Sequence, residues 1–410
     1  MNLYIFNKSS QAMVYGVGTY IRELTKSLCH SSINVCVINL MSDKPHILKE
    51  EVDGIRYWHF PKFVAERRTI DFLKKSDLYY RNVVYLLQFY IEDKKDLVFH
   101  LNYNQSDKLV EELRNTFDCK LITVVHFSGW GITVFDNLQR LRAALNNERP
   151  DNFEENLKRT IVEEKSYYMS MDKVICLTKY MNEILCMDYQ LPQERITTIP
   201  NGLSDIFDTE FDSRQLRKKW NLNLSEKIIL FAGRLDEVKG LNYALNSFRS
   251  VLRKHPRCRL IIVGDGMYNE YMKASLDICT RITFTGLIDK EKLYELYGLA
   301  DIGIVPSLFE PFGYVAVEMM MHGLPVVVTE TSGLNEIVDD TCGLKVPLKK
   351  NADKVEIDTD LFAEKILYLL EHPKVAKQLG ENGRQRYLKH YTAEIFRKNM
   401  LEFYQSLCTK

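Results

Sequence analysis

The chain has 410 residues, more than one hydrophobic core usually serves, since single cores stop growing at about 250 to 300 residues. Hydrophobic residues make up 46% and charged residues 27%, which excludes a disordered, collagen-like or disulfide-stapled chain. The 55 Lys and Arg balance the 55 Asp and Glu, so no global basic field points to nucleic acid and no acidic one to a cationic partner.

Short apolar runs alternate with stretches at helical spacing. In the first half these runs are LYIFN (3–7), NVCVINL (34–40), DLVFHL (96–101), KLITVVHF (120–127) and KVICL (173–177). Nearly apolar on both faces, they predict strands of a parallel sheet covered by helices. The helix expected over 20–29 places Ile21, Leu24 and Leu28 on one face, with Arg22, Glu23 and Lys26 outside. The stretch 61–81 holds six basic and three acidic residues among Phe63, Val64, Ile70, Phe72, Leu73 and Leu78. It reads first as a helix covering the sheet, and second as a basic amphipathic surface for peripheral contact with anionic lipid.

Pro200-Asn201-Gly202 is a strong turn signal, and the polar segment to Asp212 marks a junction. The rhythm then restarts with KIILFAG (227–233), RLIIVGDG (259–266), RITFTG (281–286), DIGIVPS (301–307) and PVVVTE (325–330). Two α/β domains are expected, 1–202 with a returning helix at 386–410, and 203–385. Ligands of doubly wound sheets bind beyond the carboxyl ends of the strands, so the two domains are expected to face a cleft. The nine cysteines show no C-x-x-C and no metal-ligand spacing and are read as reduced. The opening residues lack a basic, apolar leader, and the run 83–91 is interrupted by Gln88 and far shorter than about 20 residues. The expected location is therefore cytoplasmic, at the inner face of a membrane if 61–81 docks there.

Arg234 and Lys239 stand five residues apart after the strand that ends at Gly233, two cations suited to a pyrophosphate beside glycines that let it approach. In EPFGYVAVE (310–318), Pro311 is expected at the first helical position, leaving the amides of Phe312, Gly313 and Tyr314 as donors for an anion. Glu310 and Glu318, eight residues apart, are expected to face one crevice at different depths, one holding sugar hydroxyls and the other a ribose diol. Solvated loop cations, and carboxylates that merely complement a helix dipole, are the plain alternatives. G16-V-G18 and G264-D-G266 both lack the third small residue of a dinucleotide fingerprint.

The E-x7-E of 310–318, followed by HGLP (322–325) and TSGLNEIV (331–338), and preceded by PNG (200–202), GRLDEVKG (233–240), VGDG (263–266) and FTG (284–286), forms an ordered set. This set resembles the retaining, GT-B fold, nucleotide-sugar-dependent glycosyltransferases of family 4, strongly over 200–370. The resemblance implies two Rossmann-like doubly wound domains with a C-terminal helix crossing back to the first. It implies sugar transfer from a UDP- or GDP-linked donor to an acceptor hydroxyl, with retained configuration and no divalent metal or other cofactor. Arg234 and Lys239 would bind the diphosphate, Glu318 the ribose and Glu310 the transferred sugar. The amides of Phe312, Gly313 and Tyr314 would meet sugar or phosphate, Gly264 would line the donor site, and the backbone at Leu287 and Ile288 would meet the base. In the first domain His126, followed by S128-G-W-G131, resembles a residue beside the donor sugar, and Gly18 is the better candidate of the G16-V-G18 pair, because Tyr15 stands where a glycine is common. The acceptor is left open among a lipid-linked saccharide, a polysaccharide precursor, a small molecule and a peptide. A non-catalytic subunit of the same fold, and an epimerase or phosphorylase, are the alternative readings.

Overall fold

The computed structural model describes residues 1–8, 16–29, 31–64, 70–102, 106–206, 213–351 and 354–408, the last by its backbone. Tyr15, the 65–69 part of the basic stretch and the 207–212 part of the expected junction lie outside the described residues. The chain divides into two compact units, Met1–Phe127 with Arg159–Ser204 and Ala393–Lys410, and Ser128–Lys158 with Asp205–Thr392. The segment Ser128–Lys158, expected in the first domain, therefore clusters with the second. Its Trp130 ring packs beside Phe309, at 6.3 Å between centroids, and its Asp136 carboxylate accepts from the Ser332 amide at 3.0 Å.

The first unit carries strands β1 (Asn2–Lys8), β2 (Asn34–Ser42), β3 (Leu48–Val52), β4 (Ile55–Pro61), β5 (Leu97–Asn102), β6 (Cys119–Val125), β7 (Lys173–Cys176) and β8 (Ile196–Thr198). Their order is β3-β4-β2-β1-β5-β6-β7-β8, parallel except for the β3–β4 hairpin. That hairpin was not expected, because LKEEV is exposed and has no apolar face, yet its Asp53-Gly54 turn, both residues at positive φ, is a strong hairpin signal. The first helix opens at Gly16, earlier than expected, and buries Ile21, Leu24 and Leu28 as the spacing requires. Helix Ile70–Tyr90 buries Tyr80, Val83, Val84 and Leu87 and leaves Leu73, Leu78, Tyr85 and Phe89 exposed.

The second unit carries β9 (Lys227–Ala232), β10 (Cys258–Val263), β11 (Ile282–Gly286), β12 (Ile302–Val305), β13 (Val326–Glu330), β14 (Gly343–Lys350) and β15 (Val355–Ile357). The order β11-β10-β9-β12-β13-β14-β15 reverses direction between β9 and β12, both buried throughout apart from Lys227. The antiparallel edge pair β14–β15 was not expected, since polar, proline-containing GLKVPLKK reads as loop. Nor is the C-terminal pattern one helix. Pro373–His390 ends in the second unit, Tyr391 and Thr392 break the helix, and the Ala393 amide donates to the Leu203 carbonyl at 2.8 Å. Helix Ala393–Cys408 then lies in the first unit, with Phe396 edge-on to Tyr20. No helix among the described residues is long and apolar enough to cross a membrane.

Candidate functional site

In a doubly wound sheet the crevice lies where the strand order reverses, which in the second unit is beyond the carboxyl ends of β9 and β12. The loop after β9 carries Arg234 and Lys239, and the loop after β12 carries Glu310. These loops touch, since the Leu308 amide donates to the Val238 carbonyl at 2.8 Å. Lys239 Nζ stands 2.5 Å from Glu310 Oε2, with both side chains mostly buried, and Ser307 Oγ adds a contact to the same carboxylate oxygen at 3.4 Å. Arg234 is nearly half exposed and pairs with Asp236 at 2.9 Å, while Asp236 also accepts from the Lys239 amide and so shapes the turn that aims the lysine. Gly264 lets the β9 and β10 ends meet. Its φ is +143°, and a Cβ there would stand 1.8 Å from the Gly233 carbonyl oxygen.

Helix Tyr314–Met321 starts later than the sequence implies. Gly313, at φ +102°, is its N-cap, so Pro311 is not the first helical residue and the free-ended amides begin at Gly313. Phe312 precedes the helix with a buried ring, edge-on to Tyr314 and Tyr391. Glu310 and Glu318 consequently do not lie two turns apart on one helix. Glu318 is inside the helix, 4% exposed, and accepts from Lys290 Nζ at 2.5 Å and from Tyr297 OH at 3.0 Å. Burial, with the Glu318 charge second, holds the Tyr297 phenol far above its ordinary range, so it remains a donor. Lys290 opens the helix that follows β11, so the turn of Gly286, exposed Leu287 and half-buried Ile288 adjoins Glu318. The unit thus brings Lys239 and Glu310 together at the sheet reversal, with Arg234 on the same loop as Lys239, and Glu318 with the 286–290 turn that follows β11, two strands from β9.

The sequence reading missed Lys290, Tyr297, Ser332 and Asp136. Lys290 follows FTG by four residues and Ser332 stands inside TSGLNEIV, so both lie in or close to a motif. Tyr297 and Asp136 carry no local pattern.

In the first unit, His126 follows β6 and is half-buried. Asn102, at the end of β5, turns its amide nitrogen to the Phe6 carbonyl and accepts from His126 Nε2 at 2.9 Å, which leaves Nδ1 as an acceptor. Tyr20 packs edge-on against the imidazole at 4.8 Å. Fully enclosed His100 bonds Tyr404 OH through Nδ1 at 2.7 Å and approaches Tyr20 OH at 3.4 Å through Nε2. Burial, then the neighbouring His126, pushes the His100 imidazole down to about 3, and burial lowers His126 as well, so both are neutral at pH 7. Gly18 lies in the first turn of helix Gly16–Leu28.

Both units are Rossmann-like, and together they have the GT-B fold. Sucrose-phosphate synthase from Thermosynechococcus elongatus superposes with a TM-score of 0.78 at 23% identity, over 99% of this chain and 98% of that one. Anabaena HepE, solved with UDP and glucose, superposes with a TM-score of 0.71 at 15% identity, over 98% and 99%. Residues 14–205 match Glycosyltransferase Family 4 and residues 212–386 match Glycosyl transferases group 1. Each half of the chain is thus similar to a glycosyltransferase domain family, on a GT-B fold. An uncharacterised glycosyltransferase of Methanocaldococcus jannaschii is 31% identical over 195 residues, 46% of this chain and 50% of that protein. The chain spans about half the length of the curated relatives it matches.

Proposed function

We propose that the protein transfers a sugar from a nucleoside-diphosphate donor to an acceptor hydroxyl with retention of anomeric configuration. The observation that carries this is the placement of Lys239 against Glu310 at the reversal point of the second sheet, with a second cation, Arg234, on the same loop. The acceptor oxygen bonds to the anomeric carbon as the bond from that carbon to the diphosphate oxygen breaks. The diphosphate leaves with the bonding pair and takes up the acceptor's proton. Arg234 and Lys239 neutralise the departing charge, which leaves no step that calls for a divalent ion, and activity is expected to survive EDTA. Glu310 holds the sugar, Glu318 accepts from the ribose diol, and Leu287 and Ile288 offer backbone to the base. Gly264 and the 312–314 backbone line the donor, and Gly18 meets phosphate or acceptor. His126, neutral with Nδ1 free to accept, hydrogen-bonds sugar or acceptor.

HepE is described with UDP and glucose, which puts UDP first among donors to try. A thermal-shift panel of UDP, GDP, ADP and NAD tests the reading, because a ligand at 100 times its dissociation constant adds about 2.7 kcal/mol of stability. A shift with one nucleoside diphosphate supports it and names the base. No shift with any diphosphate favours a non-catalytic subunit, and a shift with NAD alone overturns the ligand class. Peripheral membrane contact belongs to the same proposal, supported by exposed Leu73, Leu78, Tyr85 and Phe89 on the helix that also carries Lys74, Lys75 and Arg81. Salt-dependent co-sedimentation with anionic liposomes is expected, and no sedimentation at low salt would remove it.

A further inference from the structure

Glu310 sits in a loop, and a loop carboxylate must be held if it is to meet one sugar hydroxyl repeatedly. Its backbone is fixed on both sides by a single residue, Ser332. The Glu310 amide donates to Ser332 Oγ at 3.1 Å, and that hydroxyl donates to the Glu310 carbonyl at 2.9 Å. The Gly333 amide donates to the same carbonyl at 3.0 Å, and a Cβ on Gly333 would stand 2.1 Å from the Pro311 carbonyl oxygen, so the two turns lie in direct backbone contact. Ser332 does this from φ +29°, a conformation that a non-glycine residue holds only when its surroundings impose it.

What imposes it is Asp136. The residue is 2% exposed, and Oδ2 accepts from the Ser332 amide at 3.0 Å, Thr331 Oγ1 at 3.3 Å and Lys350 Nζ at 3.4 Å. Lys350 also donates to the Asp136 carbonyl at 2.8 Å, and Asn137 Nδ2 reaches the Asn351 carbonyl at 2.7 Å, so the end of β14 braces the segment from outside. Five residues earlier, Gly131 leaves no room for a Cβ against the Phe309 ring, which would stand 2.3 Å away. The 130–137 segment therefore grips both neighbours of the carboxylate, Phe309 before it and Ser332 behind it.

We propose that Asp136 is a positioning residue for Glu310, acting through Ser332, and that a buried hydrogen-bond acceptor outside the E-x7-E motif sets the turnover of the site. This rests on the reading of Glu310 as the sugar-holding carboxylate. The test uses the full chain as wild type, Asp136→Ala, Asp136→Asn, Ser332→Ala, Glu310→Gln and the Asp136→Ala/Glu310→Gln pair. Amide hydrogen exchange at Glu310 and Gly333 is read first, and it needs no donor. In Asp136→Ala both amides should exchange about tenfold faster or more, with β9 and β12 unchanged, the sign of local rather than global opening. Asp136→Asn, which keeps an acceptor for the Ser332 amide, should restore most of the protection. Unchanged exchange at both amides in Asp136→Ala overturns the proposal.

Turnover is then read on whichever of UDP-glucose, UDP-N-acetylglucosamine and GDP-mannose the chain cleaves, with water as acceptor. Asp136→Ala and Ser332→Ala should each lower kcat about 10- to 100-fold, as displacement of a positioned group does, with KM and nucleoside diphosphate affinity nearly constant. In the Glu310→Gln background Asp136→Ala should add nothing, because its effect passes through that carboxylate. A further loss in the double variant, or equal falls in kcat and thermal stability that Asp136→Asn does not rescue, means that Asp136 is only structural. If Glu310→Gln itself keeps wild-type turnover, the reading of Glu310 fails. Should Asp136→Ala not fold, Ser332→Ala carries the same kcat prediction, and its failure to lower kcat overturns the proposal.

Discussion

The two units use one architecture to present different chemistry at their strand ends. In the second, the groups beyond the sheet are ion pairs, Lys239 with Glu310 joining the segments after β9 and β12, and Lys290 with Glu318 joining the two helices that follow β11 and β12. In the first, the corresponding ends carry neutral imidazoles in a hydrogen-bonded, aromatic setting, His126 with Asn102 and His100 with Tyr404 and Tyr20. A parallel sheet supplies the place and leaves the chemistry to the loops. Paired charges suit a charged ligand that exchanges partners with them on arrival. Neutral donors and acceptors suit a hydroxyl-bearing one.

The comparison is broken most easily at Glu310. Glu310→Gln keeps the size of the side chain and removes its charge, and kcat is expected to fall about 10² to 10³-fold, the scale for losing one well-placed polar contact in a transition state. Nucleoside diphosphate affinity should hold or tighten in the same variant, because Lys239 loses its internal partner and becomes available to phosphate. Titration calorimetry with UDP and GDP reads this, and weaker binding would show that the ion pair is not a competitor of the ligand. Arg234→Ala should act in the opposite sense, weakening the diphosphate by about 10- to 100-fold, the worth of a charge-assisted hydrogen bond of about 1.5 to 3 kcal/mol. The loss should shrink as salt rises, since Arg234 is close to half exposed. An affinity equal to wild type at low salt would remove Arg234 from the site.

How much of this was legible follows the same division. β9, β10, β12 and β13 are runs of Val, Ile and Leu buried on both faces, so composition alone marks them. The edges β3, β14 and β15 have a solvent side and mixed residues, and their pairing is decided by neighbours distant in sequence. Arg234, Lys239, Glu310 and Glu318 were readable because they sit at fixed offsets from glycines and strand ends. Their internal partners were not, since Lys290 lies 28 residues from Glu318 and Asp136 lies 196 from Ser332. The helix start at Tyr314 rather than Pro311 turns on the left-handed N-cap Gly313, which sequence offers only as a glycine with two readings. His126 was named from resemblance, and nothing in its own segment announces Asn102, Tyr20 or the buried His100 behind it.

The smallest expected effect concerns stability, and it separates the units by acid. His100 has a folded pKa of about 3 against an ordinary value of 6.5. Above pH 6.5 it is neutral in folded and unfolded chains alike and contributes nothing. Below that, the unfolded chain binds a proton that the folded chain refuses, so stability falls as pH drops from 6.5 toward 3, by about 1.4 kcal/mol per unit at most. At pH 5 the cost is about 2 kcal/mol or less. His322 of the second unit is also lowered by burial, but the Glu318 carbonyl and carboxylate pull it back up, so its acid cost is smaller. His100→Gln keeps a donor and an acceptor for Tyr404 and Tyr20 and removes the titration. Calorimetric Tm between pH 7 and pH 5 should therefore fall less steeply in His100→Gln than in wild type, and the gain should exceed that of His322→Gln. An unchanged slope in His100→Gln would mean that the imidazole is solvated or paired on protonation, and the neutral character assigned to the first unit's network would be lost with it.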